Sequence, residues 1–323
     1  MTGGRIAVVG AGAGAEAWAT SLGADLVPDA AGMAGVAGGG GLDLVIDAGA
    51  DGDAEARSAS LGALLAVLPG RVPVAVATRL HTLEALLPGA RYATRIVGLH
   101  RVSRAAGPTP VVEVALPAAF DDAVVDAVLD LLGAHGLEAL PVGDGPGRIV
   151  DRLLASWWCA AGGVAIAVGG RPLDALRAGE AAAVIAAIAR DLGDAERFVV
   201  QAGAGSGGSA VRAGTDAAGA PSRDRAPQPA TGEAPPAAAD LAELAVIAEA
   251  YRLVGEAAAG AAEIERAMTA GAGWDAGPFT LAGRRGLRAV VTQIAALGRD
   301  PDADAATHDR FAMPPLLWRM ATA

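Results

Sequence analysis

The chain has 323 residues, with 36 acidic against 25 basic side chains and a formal net charge of -11. That length allows two domains and a full apolar core, and an acidic balance without a basic block argues against a nucleic-acid partner. Every basic residue is Arg, so mechanisms that need a Lys Schiff base or a phosphate-loop Lys are excluded.

Arg5–Val9 reads as a short apolar strand, followed at once by Gly10-Ala11-Gly12-Ala13-Gly14-Ala15 and a helical stretch to about Leu22. Asp25–Asp29 is expected as a second strand and Leu42–Asp47 as a third, with a helix over Ala54–Leu68. Val72–Ala77, Ile96–His100, Val111–Ala115 and Glu138–Val142 supply further strands, and Asp121–Leu132 a helix. Strands and helices alternating at this length indicate an α/β fold, a Rossmann-type doubly wound sheet with a largely parallel core. From Gly147 onward the strand signal gives way to Ala/Leu-rich helical pattern, so an all-helical C-terminal domain is expected. The boundaries predicted are 1–144 and 145–323, with a Gly/Ser/Pro/Ala-rich disordered linker over 201–239. The helical stretches on either side of that linker are two degraded copies of one unit or one interrupted domain; the pattern is compatible with both.

A single Cys159, set among Trp157, Trp158 and Ala160, reads as packing and fits a reducing cytoplasm. The first strand begins by about residue 5, which leaves no room for a signal peptide. The uncharged run Leu153–Gly170 is short of spanning length and weakly apolar, and is expected as a buried helix, with no membrane partner. No metal site is expected.

Gly10, Gly12 and Ala15 fit the dinucleotide fingerprint, in which the third small position accepts Ala. Gly10 permits the tight turn, Gly12 lets backbone approach a pyrophosphate, and Ala15 keeps the helix close to the strand. Asp29, about twenty residues on, is placed to accept from both ribose hydroxyls and to repel a 2′-phosphate. Ala30, Ala31 and Gly32 offer no cation for that phosphate, so NAD is the expected cofactor. The alternative makes Asp29 a helix cap or a turn residue. Downstream, His100 ends a strand, and Glu113 lies in the next one. Such a pair can hold one imidazole tautomer and raise its basicity, as a general base requires. Here the alternative is a structural His beside a strand-edge charge.

These stretches, with Asp144-Gly145-Pro146-Gly147-Arg148-Ile149-Val150-Asp151-Arg152-Leu153-Leu154, Glu263–Met268, Gly277-Pro278-Phe279 and Pro314-Pro315-Leu316-Leu317, resemble the 3-hydroxyacyl-CoA dehydrogenase family. The resemblance implies NAD-dependent interconversion of a 3-hydroxyacyl and a 3-ketoacyl compound, with His100 as base and Glu113 orienting it. It also implies a homodimer. Thr78, in Thr78-Arg79-Leu80, takes the place of the family's substrate-holding Ser, and Ser103 that of an Asn on the nicotinamide side. Asp151 stands where the family has its catalytic Asn; when ionised it accepts a hydrogen bond but donates none. It competes with a reading as a cap or an ion-pair partner of Arg152. Between Asp29 and Leu42 the family carries a long helical insertion whose Ser and Lys contact coenzyme A. This chain has only Ala30 to Gly41 there. A CoA thioester, a carrier-bound acyl group and a small hydroxy acid therefore all stand as substrate classes, beside a catalytically impaired nucleotide-binding homologue with a regulatory role. Arg79, Arg101 and Arg104 are candidate replacement cations, or ordinary surface residues.

Overall fold

Ile6–Val9 carry four consecutive apolar side chains, and the strand they belong to, β1 (Arg5–Val9), is an interior strand of a sheet and is buried on both faces. Continuous apolar runs of this kind mark parallel strands covered by helices on each side. The structure is a computed structural model that describes residues 5–38, 41–87, 93–102, 110–161, 178–192, 196–198 and 236–323. The chain divides into two units, Met1–Arg148 and Ile149–Ala323.

In the first unit the strands are β1, β2 (Asp25–Val27), β3 (Leu42–Asp47), β4 (Val74–Ala77), β5 (Ile96–Val102), β6 (Val111–Leu116) and β7 (Glu138–Gly143). They form one sheet in the order β2-β1-β3-β4-β5-β6-β7, parallel throughout except for the antiparallel pair β5/β6. The helices are α1 (Ala13–Leu22), α2 (Ala30–Gly38), α3 (Ala54–Val67), α4 (Leu83–Leu86) and α5 (Asp122–Ala134). One face of the sheet packs on α1 and α5 through Trp18, Leu22, Val97, Leu99, Val125 and Val128. The other packs on α3 and α4 through Leu61, Leu64, Val74, Val76, Leu83 and Ile96. The α/β, doubly wound reading holds, and its boundaries move in three places. β2 stops at Val27 because Pro28 has no amide to continue the ladder. β4 starts after Pro73 for the same reason. The short segment expected as connection after Asp29 forms helix α2.

In the second unit the described helices are α6 (Val150–Ala160), α7 (Ala178–Leu192), α8 (Pro236–Gly255), α9 (Ala261–Arg266), α10 (Pro278–Arg285), α11 (Leu287–Leu297), α12 (Ala305–Arg310) and α13 (Pro315–Thr322). Residues 236–239, read from sequence as linker, belong to α8: alanines lose no side-chain entropy and continue the helix that Asp240 onward requires. Residues 201–235 of that expected linker, and 162–170 of the expected buried run, lie outside the described residues. No described helix is long and apolar enough to cross a membrane. The helices enclose a core of Tyr251, Val290, Ile294, Phe311 and Leu317.

Candidate active site

The strand order reverses between β1 and β3, and in open α/β sheets ligands bind at that point, off the carboxyl ends of the strands. The two strand ends approach closely here: the Ala48 amide donates to Val9 O at 2.7 Å and the Gly10 amide to Val27 O at 2.9 Å. A Cβ on Gly10 would lie 2.5 Å from Ala48 O, and its φ is +146°. Gly12, at φ +86°, precedes α1 with open space where a side chain would be. Ala15 is fully buried against the sheet. The Gly10→Ala variant therefore meets backbone atoms that cannot yield. It is expected to cost about 2–4 kcal/mol, read as a melting temperature lower by about 5–15 °C.

Beside this turn is a cavity of about 530 Å³ lined by Gly10, Asp29, Ala31, Gly49, Ser60 and Leu64, among others. Asp29 is among its lining residues. Its Oδ1 accepts from the Gly32 amide at 2.9 Å, capping α2, while the residue itself lines the cavity. The sequence reading missed a buried ion pair here. Arg57 Nη1 donates to Asp47 Oδ2 at 2.5 Å, and Nη2 to the carbonyls of Asp47 and Ala77 at 3.1 and 3.2 Å. A strand-final Asp47 followed ten residues later by an Arg on a helix is too common a pattern to signal such a pair.

At the far side of the sheet, the β5/β6 register sets His100 directly opposite Glu113. Nδ1 of His100 lies 2.6 Å from Glu113 Oε2, so the carboxylate holds the proton on Nδ1. Glu113 is 0% exposed and His100 9%. Arg101, the next residue, turns to the opposite face: its Nη1 donates to Ser21 Oγ at 2.6 Å and its guanidinium lies over the Trp18 ring. It serves α1 packing. The other histidines donate to or sit against backbone carbonyls, His81 on Gly52, His135 on Leu131 and His308 on Asp300.

Thr78 follows β4, whose register pairs Ala77 with Leu99 and so brings Thr78 alongside His100. Its hydroxyl is engaged: Oγ1 donates to Asp51 Oδ1 at 2.8 Å. The other Asp51 oxygen accepts from the Arg79 and Leu80 amides at 2.5 and 2.7 Å. Asp51 thus ties the loop after β3 to the loop after β4, a role no short-range sequence signal marks. Asp151 lies 2% exposed in the first turn of α6, in the second unit. Ser103 and Arg104 lie outside the described residues.

Residues 243–323 match the family model described as 3-hydroxyacyl-CoA dehydrogenase, C-terminal domain. The whole chain superposes on 3-hydroxybutyryl-CoA dehydrogenase from Escherichia coli K12 with a TM-score of 0.75 at 14% identity, covering 100% of this chain and 99% of that one. It is also similar to (S)-3-hydroxybutyryl-CoA dehydrogenase PaaH1 from Ralstonia eutropha (TM-score 0.39, 15% identity, 98% and 93% covered). The dehydrogenase part of multifunctional enzyme 1 from C. elegans gives 0.47, 10%, 98% and 89%. At these identities the first likeness is one of fold, and the other two are too loose to add to it. No curated protein matches the chain. The chain thus resembles the 3-hydroxyacyl-CoA dehydrogenases.

Within the matched residues 243–323, Glu265 on α9 accepts from the Phe279 and Thr280 amides at 2.5 and 3.0 Å, and from Thr280 Oγ1 at 2.8 Å. It caps α10, and Gly277 is required there, since a Cβ would meet the Glu265 carboxylate at 2.6 Å. The Gly277-Pro278-Phe279 motif is accordingly a helix junction. Arg152 is bound to Glu249 and Glu256 on α8, with Nε to Glu249 Oε1 at 2.6 Å and Nη2 to Glu256 Oε1 at 2.9 Å. Cys159 is fully buried, its Sγ donates to Phe198 O at 3.2 Å, and burial pushes its thiol up to about 12, which makes it inert as a nucleophile.

Proposed function

We propose that the chain is an NAD-dependent oxidoreductase that interconverts a 3-hydroxyacyl and a 3-ketoacyl compound. The observation that carries this reading is the His100–Glu113 pair, buried and 2.6 Å apart, in the unit that also bears the nucleotide-type turn at Gly10 and Gly12. The residues present fit the dinucleotide: an open backbone turn with Gly12 at positive φ before α1, and an acid at the lip of an adjoining cavity. Gly10, Gly12 and Ala15 would border the pyrophosphate, and Asp29 the ribose hydroxyls. When bound, NAD supplies a hydride acceptor. His100 takes the substrate's hydroxyl proton on Nε2. Glu113 holds the Nδ1 proton in place and balances the charge of the resulting imidazolium in a site nearly free of water. The homodimer and cytoplasmic setting implied by the family resemblance go with the same reading.

Thr78 fits its inherited role less well, since its one hydroxyl proton is directed at Asp51. That observation, with Asp151 in place of Asn, favours a second reading: a nucleotide-binding homologue with impaired catalysis and a regulatory role. Absorbance at 340 nm separates the two, using NAD with 3-hydroxyacyl-CoA thioesters, carrier-protein thioesters and free 3-hydroxy acids. Turnover on any of them that vanishes in His100→Ala supports the enzyme; NADH binding with no turnover throughout supports the homologue.

The cofactor assignment has its own test. Asp29→Asn keeps an acceptor for the Gly32 amide, since Asn caps helices as well as Asp does, but removes the charge facing the ribose. It is expected to weaken NADH about 10- to 100-fold in a fluorescence titration and to narrow the gap to NADPH, while the melting temperature stays near that of the parent.

A further inference from the structure

Arg148 lies at the end of the first unit in a conformation that non-glycine residues rarely adopt, with φ +47°. It is 3% exposed, yet its Nε and Nη2 atoms are buried without a hydrogen-bond partner among the described residues. A guanidinium cannot shed its proton, so an arrangement of this kind is costly unless an anion completes it. The nearest carboxylate in charge terms, Asp144, spends Oδ2 on the Leu83 and Glu84 amides at 2.7 and 3.2 Å. Burial raises its pKa, which weakens it as a counter-ion, and its Oδ1 is itself buried and unpartnered.

The position of the guanidinium is informative. Nη2 of Arg148 lies 3.0 Å from where a Cβ on Gly98 would be. Alternate residues of a strand share a face, so Gly98 and His100 point the same way, and their Cβ positions are about 7 Å apart. The register sets Ala115 opposite Gly98 and Glu113 opposite His100, on that same face. The absent side chain at Gly98 therefore opens a slot that places a buried cation one step along the strand from the proposed base.

We propose that Arg148 is a specificity-determining residue that receives the carboxylate of a short 3-hydroxy acid, whose C3 hydroxyl then reaches His100. Its planar fork suits a carboxylate held by two parallel hydrogen bonds, and a carboxylate two carbons from the carbinol matches a span of one strand repeat. The proposal rests on the dehydrogenase reading and narrows it from acyl thioesters to free acids.

The test compares 3-hydroxybutyrate, its methyl ester and its CoA thioester on the full chain, in the parent, Arg148→Gln, Arg148→Lys and Asp144→Asn. Binding of acetoacetate and methyl acetoacetate to the NADH-loaded protein is followed by calorimetry. Expected for Arg148→Gln is a loss of about 30-fold or more in kcat/KM on the acid, carried by KM, with the methyl ester changed less than about threefold. Arg148→Lys should recover part of the loss, and Asp144→Asn should leave the acid preference standing. Equal losses on acid and ester, or the same loss in Asp144→Asn, would make Arg148 a structural partner of Asp144 and overturn the proposal. So would a parent that prefers the ester or the thioester, even though the dehydrogenase reading then survives. If no compound turns over but acetoacetate binds in preference to its ester and Arg148→Gln abolishes the preference, the carboxylate subsite stands and the hydride-transfer reading falls.

Discussion

Glu113→Gln is expected to lower turnover about 10²- to 10⁴-fold while leaving NADH affinity within about twofold of the parent. Gln can still accept from His100 Nδ1, so the ring keeps its place. What disappears is the negative charge 2.6 Å from the imidazole, and with it the stabilisation of the imidazolium formed as the hydroxyl proton transfers. His100→Gln is expected to fall at least as far. The informative result is the double variant: a base and its orienting carboxylate act as one unit, so removing both should cost about as much as removing His100 alone. Additive losses would mean that Glu113 acts elsewhere, and unchanged turnover in either single variant would place the chemistry on other residues. Because Glu113 is wholly buried, melting temperatures must be measured beside the rates, so that a folding defect is not mistaken for a catalytic one.

What could be read from the chain, and what could not, follows the distance over which each feature is encoded. The strand–turn–helix around Gly10 and Gly12 is written in ten consecutive residues, and the structure reproduces it. The His100–Glu113 contact was also accessible, since two strands joined by a short loop can pair antiparallel and bring facing residues together. Helix α2 was missed because its run of Ala and Gly carries almost no amphipathic pattern. Asp51 and Arg57 were invisible for a different reason: their partners lie 10 to 29 residues away, and only the sheet order brings them together. The surroundings of Arg148 were equally hidden, since Gly98, which its guanidinium approaches, lies on a strand far back along the chain. Asp29 shows a third case, in which two sequence readings were set against each other: the cap is formed, and the residue also lines the cavity.

The same long-range logic reaches its extreme at Glu249, the centre of the second unit's polar interior. Its carboxylate is fully buried and accepts from Arg152 Nε at 2.6 Å and Arg252 Nη1 at 2.9 Å, with Arg197 Nη2 at 3.5 Å. Burial works against ionisation of Glu249, but Arg152, Arg252 and Arg197 together outweigh it and hold the carboxyl below its usual range. Glu249→Gln leaves those guanidinium groups facing a neutral amide. A broken buried ion pair typically costs about 3–5 kcal/mol. Partial compensation by Glu256, which also holds Arg152, points to the lower end, and a fall in melting temperature of about 6–12 °C is expected. The pH dependence gives the deeper check. A carboxyl with a depressed folded-state pKa contributes stability that is fully present above its unfolded value of about 4.3. That contribution is lost as pH falls through the folded value. The stability gap between parent and Glu249→Gln should therefore be constant from about pH 6 upward and close progressively below pH 4.3. Asp144, whose pKa is raised by burial, changes stability in the opposite sense but equally in both proteins, so it cancels from the difference. A gap that persists undiminished into strong acid would mean that Glu249 acts through shape and packing, and that its charge does not hold Arg152, Arg252 and Arg197 together.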